Sequence, residues 1–161
     1  MEIAINRLNT ILTILKYLDG TTSTPNAYRR EKGRAQAVTT TIDLNQAAAS
    51  YDLFTTTTQD CTLKSLVIRL PNLDCSDDAN LTSISIQTDD VTAEVLLSSG
   101  DGAVANLTAE SQHGYTGICF LKAGTKIQLT IAGGAADAAT VCDVVAEYFS
   151  NTDGGYLAWN I

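Results

Sequence analysis

The segment Leu81-Thr82-Ser83-Ile84-Ser85-Ile86-Gln87-Thr88 decides the fold of this chain, because its later apolar residues alternate with hydroxyl and amide side chains. Side chains of a β-strand point alternately to its two faces, so the alternation predicts a strand buried on one face only. The segment Lys126-Ile127-Gln128-Leu129-Thr130-Ile131 shows the same alternation of apolar and polar residues. Two such strands need a second apolar layer over them, which favours a core enclosed between two sheets.

The same period of two extends over the whole chain from residue 36 onward. A Thr-rich strand begins with Val38, Ile42 and Leu44, and no second helix is indicated after residue 36. Ala123-Gly124 and Gly133-Gly134 provide turns, so residues 115–149 are predicted as three antiparallel strands in succession. We therefore predict an all-β fold, a jelly-roll-type antiparallel β-sandwich. Its other strands are expected at 50–57, 62–70, 81–88, 92–98, 115–121, 125–132 and 140–149.

An amphipathic helix is predicted ahead of this body, over residues 3–18. Its seam is formed by Ile5, Leu8, Leu12 and Leu15, which recur at helical spacing, and Gly20 suits a residue just past its end. Two heptads are marginal alone, so the helix must pack on another surface. That surface is the sheet of its own domain, the same helix in another copy, or a groove in another protein.

An extended basic linker is predicted between the helix and the body. Residues 21–26 are turn formers, and the next residues carry most of the local charge. The alternative is a solvated loop. We divide the chain into an N-terminal anchor arm, 1–35, and a β-sandwich body, 36–161. The candidate contacts of the linker are Tyr28, Arg29, Arg30, Lys32 and Arg34.

Charge is segregated between the arm and the body. Residues 1–34 contain six basic and three acidic residues, which leaves four basic and fifteen acidic residues in the remainder. An acidic body repels nucleic acid, so no nucleic-acid partner is expected for it. The basic arm is suited to hold an acidic protein surface.

No membrane segment or secretory signal is expected. The apolar run 11–15 is bounded by Arg7 and Lys16 and is too short to span a bilayer. The cysteines are therefore expected to be reduced, and their spacing matches no zinc motif. They are Cys61, Cys75, Cys119 and Cys142.

Catalytic residues are not indicated anywhere in the sequence. His113, the single histidine, is placed in a polar loop bounded by glycine, and no nucleophile elbow, phosphate loop or dinucleotide fingerprint occurs. The acidic stretch 74–80 offers oxygen ligands but lacks the central glycine and closing glutamate of a calcium loop. We expect no enzyme activity, no metal and no cofactor.

The C-terminal segment ends in large apolar side chains. A free terminus of this kind would be sticky unless it were covered. It is expected to pack either on its own sheet or on a neighbouring subunit, and both remain open. The candidate oligomer-interface residues are Tyr156, Leu157, Trp159 and Ile161.

Four segments of the chain together resemble tailed-bacteriophage virion proteins of the head decoration, cement or head-fibre kind. They are residues 21–34, 84–90, 117–134 with its core Leu121-Lys122-Ala123-Gly124-Thr125-Lys126-Ile127-Gln128-Leu129, and 152–156. The resemblance implies a β-rich body, commonly a homotrimer, displayed on a capsid shell through a terminal segment. It implies the major capsid protein as partner and a place on the virion surface after assembly in the host cytoplasm. It brings no catalytic residues.

The sequence therefore predicts a non-enzymatic capsid decoration protein, anchored by its arm. One alternative is a tail or baseplate receptor-binding module that recognises host carbohydrate through Tyr, Trp, Asn and Asp side chains. The other is a secreted or periplasmic carbohydrate-binding accessory of an enzyme, which the missing signal disfavours.

Overall fold

The computed structural model describes residues 32–33, 35–57 and 59–160. The predicted helix over 3–18, with Ile5, Leu8, Leu12 and Leu15, lies outside the described residues, and so do Tyr28, Arg29, Arg30, Arg34 and Ile161. In the described part no helix is long and apolar enough to cross a membrane.

The described chain forms nine strands and one short 3-10 turn, Val104–Asn106. Every strand predicted from the alternation is present, although several begin or end a few residues away from the predicted bounds. In chain order the strands are β1 (Ala35–Asp43), β2 (Ser50–Thr56), β3 (Cys61–Arg69), β4 (Leu81–Thr88), β5 (Val95–Leu97), β6 (Gln112–Leu121), β7 (Lys126–Gly133), β8 (Val141–Ser150) and β9 (Leu157–Trp159).

These strands form two antiparallel sheets. The first sheet has the order β1-β8-β3-β6, and the second has the order β5-β4-β7-β2-β9. Consecutive strands cross from one sheet to the other, except for β4 and β5, which are neighbours in the second sheet. This alternation over one core is a jelly-roll-like sandwich, and the predicted all-β class is confirmed.

The core lies between the inner faces of the two sheets. Leu66 and Ile68 of the first sheet and Ile84 and Ile86 of the second have no exposed surface. The residues between them on each strand are partly or fully exposed, as the alternation requires. One contiguous apolar cluster therefore holds the two sheets together.

The prediction of three successive antiparallel strands over 115–149 is wrong in its pairing. The three strands exist, but β6 pairs with β3, β7 pairs with β2 and β4, and β8 pairs with β1 and β3. The turns at Gly124 and Gly133, both with positive φ, carry the chain across the sandwich rather than into a hairpin. Each sheet is apolar on one face only, and crossing lets every strand contribute its apolar side to one core.

His113 is a strand residue and not the loop residue that was expected. It lies in β6 opposite Ile68 and is half-buried, with its Nε2 atom 3.1 Å from the Ser111 hydroxyl. The neighbouring glycine, which indicated a turn, has a different role here. A Cβ on Gly114 would lie 1.9 Å from the Leu66 carbonyl oxygen, so glycine permits close approach to β3.

Leu66 provides the simplest test of this core. We expect Leu66→Ala to lower the free energy of unfolding by about 2–5 kcal/mol, because the change leaves a cavity between the sheets. Val141→Ala, at a half-exposed position of β8, should change it by less than about 0.5 kcal/mol. Urea denaturation of both variants measures the difference, and equal losses would contradict the assignment of Leu66 to the core.

Candidate interaction surfaces

The cysteines are placed as core residues rather than as reactive groups. All four are free thiols and buried. Burial raises the pKa of Cys61 and Cys142 to about 12 and that of Cys119 to about 11, with smaller contributions from nearby acidic groups. A thiol with so high a pKa is protonated at neutral pH and is a poor nucleophile.

The acidic stretch 74–80 lines a pocket of about 230 Å³ together with Asp137 and Thr140. Its carboxylates are engaged with loop backbone. Asp78 accepts the N–H groups of Asn80 and Leu81 on Oδ1, at 2.9 and 2.8 Å, and that of Asp137 on Oδ2, at 2.7 Å. Asp78 therefore joins the β3–β4 loop to the β7–β8 loop.

The pKa of Asp78 reflects this role. Partial burial acts to raise it, but the three backbone N–H groups lower it below the ordinary value. Within the described residues no group of acidic, histidine or cysteine side chains is arranged to hold a metal ion. The arrangement fastens the two loops to each other.

Residues 32–33 lie at one end of the first sheet, where Lys32 contacts the acidic residue Asp153. Lys32 is exposed, and its backbone N–H donates to Asp153 Oδ1 at 2.9 Å. The Gly33 N–H donates to the Ser150 carbonyl at 2.7 Å. These bonds attach residues 32–33 to the last residue of β8 and to the loop that follows it.

The C-terminal segment packs on its own chain, in part. Leu157 to Trp159 form β9, an edge strand on β2 that the sequence reasoning did not predict as a strand. Leu157 is buried, and Tyr156 is half-buried with its carbonyl accepting the N–H and hydroxyl of Thr57. Trp159 keeps 41% of its surface exposed. Of the candidate interface residues, Trp159 presents the largest exposed apolar surface among those described.

Large apolar side chains are exposed along the opposite side of the sandwich. Ile118 and Phe120 of β6 are 61% and 73% exposed, and Val95 of β5 is 56% exposed. β5 lies against β6 although the two strands belong to different sheets. The sequence contained a signal for this surface, because apolar residues at positions 118 and 120 share the face opposite to the buried Cys119 and Leu121.

The outer face of the second sheet is hydroxyl- and amide-rich. Ser50 and Thr130 are hydrogen-bonded at 2.8 Å across β2 and β7. Asp52 accepts from Lys126 Nζ and from Gln128 Nε2, both at 2.6 Å. The Lys126 hydrogen bond is the main cause that lowers the pKa of Asp52. This face is polar, and its side chains are hydrogen-bonded across the strands.

No family model matches the sequence, and a search of curated proteins gives no match. Solved structures do give matches. One is the capsid asymmetric unit of cyanophage Pam1, with 16% identity, a TM-score of 0.49, and coverage of 80% of this chain and 98% of that one. Another is the acid-stable capsid of Helicobacter pylori bacteriophage KHP30, with 9% identity, a TM-score of 0.43, and coverage of 78% and 99%.

A third match is the virus-like particle of the extra small virus of the giant freshwater prawn Macrobrachium rosenbergii. Its identity is 14% and its TM-score 0.25, with coverage of 80% of this chain and 86% of that one. The chain is thus similar to chains found in virus particles.

Asp78 also gives a pH-dependent prediction. A carboxylate whose pKa is lowered by folding stabilises the fold above its unfolded pKa of about 3.9, and this stabilisation is lost as pH falls through the folded pKa. We expect Asp78→Asn to reduce the free energy of unfolding by about 1–3 kcal/mol at pH 7 and by less at pH 3. Urea denaturation at both pH values measures this. Asp77→Asn is the matched control, since Asp77 is exposed, and a loss equal to that of Asp78→Asn would contradict the role given to Asp78.

Proposed function

We propose that this chain is a non-enzymatic structural protein of a bacteriophage virion that decorates and stabilises the capsid shell. The body is a rigid acidic sandwich that stands on the outer surface of the shell as a homotrimer. The arm, residues 1–35, attaches it to the major capsid protein. No cofactor takes part.

The observation that supports this proposal is the way residues 32–33 are bonded to the body. The cation-rich segment precedes β1 directly, and the sheet end from which it leaves carries Asp153 and Asp60. The Gly33 bond to Ser150 joins the arm to β8, a central strand of the first sheet. A pull on the arm is therefore transmitted to the whole sandwich rather than to a loop.

Multivalency gives the attachment its strength. A shell presents many copies of each local symmetry site, and each arm of a trimer adds a contact at high effective concentration. Individually weak helix and linker contacts then suffice to hold the trimer. The sandwich needs no catalytic group for this task, only a fixed position for each arm.

A tail or baseplate receptor-binding module is the second candidate. It is favoured by Trp159, an exposed ring next to Asn160, whose amide exchanges hydrogen bonds with the Thr55 hydroxyl. Sugars stack on such rings while hydroxyl and amide groups orient them. Gold labelling of virions separates the two candidates, because decoration predicts label on heads and receptor binding predicts label on tail tips.

Removal of residues 1–31 tests the division between arm and body. We expect the shortened chain to keep a cooperative β-type melt, because all nine strands lie from residue 35 onward, and to lose binding to purified shells. Circular dichroism and shell co-sedimentation measure the two effects. Loss of the fold would instead place the helix in the core of the body.

Salt dependence tests how the arm holds the shell. If the linker grips acidic groups, Arg29→Ala with Arg30→Ala should weaken shell binding about tenfold at low salt, because arginine pairs with carboxylates through two parallel hydrogen bonds. The effect should shrink toward 1 M salt, where screening acts within about 3 Å.

The matched control is Lys64→Ala with Lys122→Ala, which removes the same charge from exposed positions of the body. The competing mechanism inserts the helix seam into an apolar groove. Salt-independent binding that survives the arginine changes but is lost in Leu12→Asp would assign the attachment to the helix alone.

A further inference from the structure

The two long edge strands of the first sheet are nearly free of charged residues. Within the described residues, no strand covers the outer edge of β1 or of β6. β6 contains no Lys, Arg, Asp or Glu, and β1 contains one acidic residue, Asp43, at its end. Soluble proteins normally place charges, above all lysine, or proline on exposed edges. Here the charged residues of the sheet lie mainly on the central strands, as Lys64, Arg69, Asp143 and Glu147.

The register shows which backbone groups these edges offer. The Leu44 N–H donates to the carbonyl of Thr140, directly opposite, so even-numbered residues of β1 bond to β8 in an antiparallel ladder. Ala37, Thr39 and Thr41 therefore direct N–H and C=O groups away from the sheet. The Leu70 N–H donates likewise to Ser111, and so Gln112, Gly114 and Thr116 direct theirs outward from β6.

Each edge also has exposed apolar side chains beside it. We define the β6 flank as β6 together with Val95 of β5. Its exposed apolar side chains are those of Ile118, Phe120 and Val95. We define the β1 flank as β1 together with Trp159 of β9, since β1 lies against β9. The two flanks lie on opposite sides of the sandwich because β1 and β6 are the two ends of the first sheet.

One cation and one carboxylate lie beside corresponding ends of the two flanks. Asp90 Oδ1 accepts the Thr125 hydroxyl at 3.0 Å just beyond the end of β6, so a carboxylate lies near the Phe120 end of this strand. The register Ala35–Phe149–Thr62–Phe120 places the start of β1 at the same level along the strands. The cationic segment that ends with Arg34 directly precedes Ala35. If copies stand side by side with parallel strand axes, the exposed Lys32 of one copy approaches Asp90 of the next.

From these observations we infer that the β6 flank of one copy of this chain packs against the β1 flank of a second copy. In this arrangement β6 and β1 run antiparallel, because three antiparallel pairings separate them in their own sheet. When one surface of each copy binds a different surface of the next copy, the copies form a closed ring if the rotation from copy to copy adds up to a full turn. The apolar residues of the arm recur at helical spacing, so the arm does not supply the alternating partner that a strand edge requires.

This inference deepens the homotrimer of the proposed function and does not depend on the shell. It is tested on the full chain in solution by light scattering and sedimentation, with shell binding as a separate measurement. Oligomers that fail to bind shells would remove the proposed function and leave the interface in place.

Lysine substitutions on each flank are the decisive variants. We expect Phe120→Lys on the β6 flank and Ala37→Lys on the β1 flank each to raise the dissociation constant at least tenfold. Ala37 lies opposite Glu147, so a lysine there gains a cross-strand partner and the fold is preserved. Val141→Lys is the matched control, at a position 51% exposed on the outer face of the central strand β8 and opposite Asp43. It should leave assembly unchanged.

Mixing the two flank variants distinguishes head-to-tail contact from symmetric contact. Each variant keeps one intact flank, so an equal mixture should form a heterodimer that neither variant forms alone. In a symmetric contact only one of the two variants would dissociate. Trp159, the single tryptophan, reports the β1 flank, and its emission should shift to shorter wavelength on assembly.

The expected result is an oligomer of three wild-type chains that both flank variants dissociate and Val141→Lys does not. A wild-type chain that stays monomeric from micromolar to millimolar concentration would overturn the inference. So would an oligomer that Leu12→Asp dissociates while both flank variants leave it intact, because the arm would then be the interface. Melting curves for every variant confirm that the body remains folded.

Discussion

The burial of one apolar face from each of two sheets is the constraint on which the rest of this structure depends. Strands of alternating polarity have a single face to bury, so each must reach the common layer between the sheets. The chain achieves this by crossing the sandwich after almost every strand. Crossing has a further consequence, because a sandwich that does not close into a barrel retains edges at the two ends of each sheet.

The four edges are treated differently. In the second sheet the outermost strands, β5 and β9, are three residues long, and short edges offer little template for pairing. In the first sheet the outermost strands, β1 and β6, are nine and ten residues long and nearly free of charge. The chain therefore concentrates its pairing capacity in one sheet, and the exposed side chains Ile118 and Phe120 stand beside one of its edges.

The acidity of the body has a structural component as well as an electrostatic one. Several aspartates accept backbone N–H groups in loops, among them Asp43 from Thr140, Asp60 from Ala123 and Asp89 from Lys126. These bonds satisfy backbone groups at the ends of strands, where ladder bonds are absent. The same carboxylates give the body its negative charge, and this charge favours a basic arm and a basic neighbour over nucleic acid.

Alternation within single strands made the strand content predictable, because the period of two is written locally in segments such as 81–88. Pairing was not predictable, since turn residues at Gly124 and Gly133 suit both a hairpin and a crossing between sheets. Gly114 was misleading for a similar reason. In sequence it resembles a turn residue, whereas in β6 its missing side chain accommodates the backbone of β3. Strand β9 was not predicted because three residues carry too short a pattern.

The interaction surfaces, too, are predictable from the sequence only where they depend on residues that are close together in the chain. Exposure of Ile118 and Phe120 follows from alternation with Cys119 and Leu121, which is local. The order of the strands in the sheets brings β5 next to β6 on one side and β1 next to β9 on the other. No short sequence pattern encodes this order. A contact between two different surfaces of identical copies depends on how those surfaces are placed relative to each other. Each copy must therefore hold both surfaces in a fixed position. The shared core of the two sheets provides that rigidity.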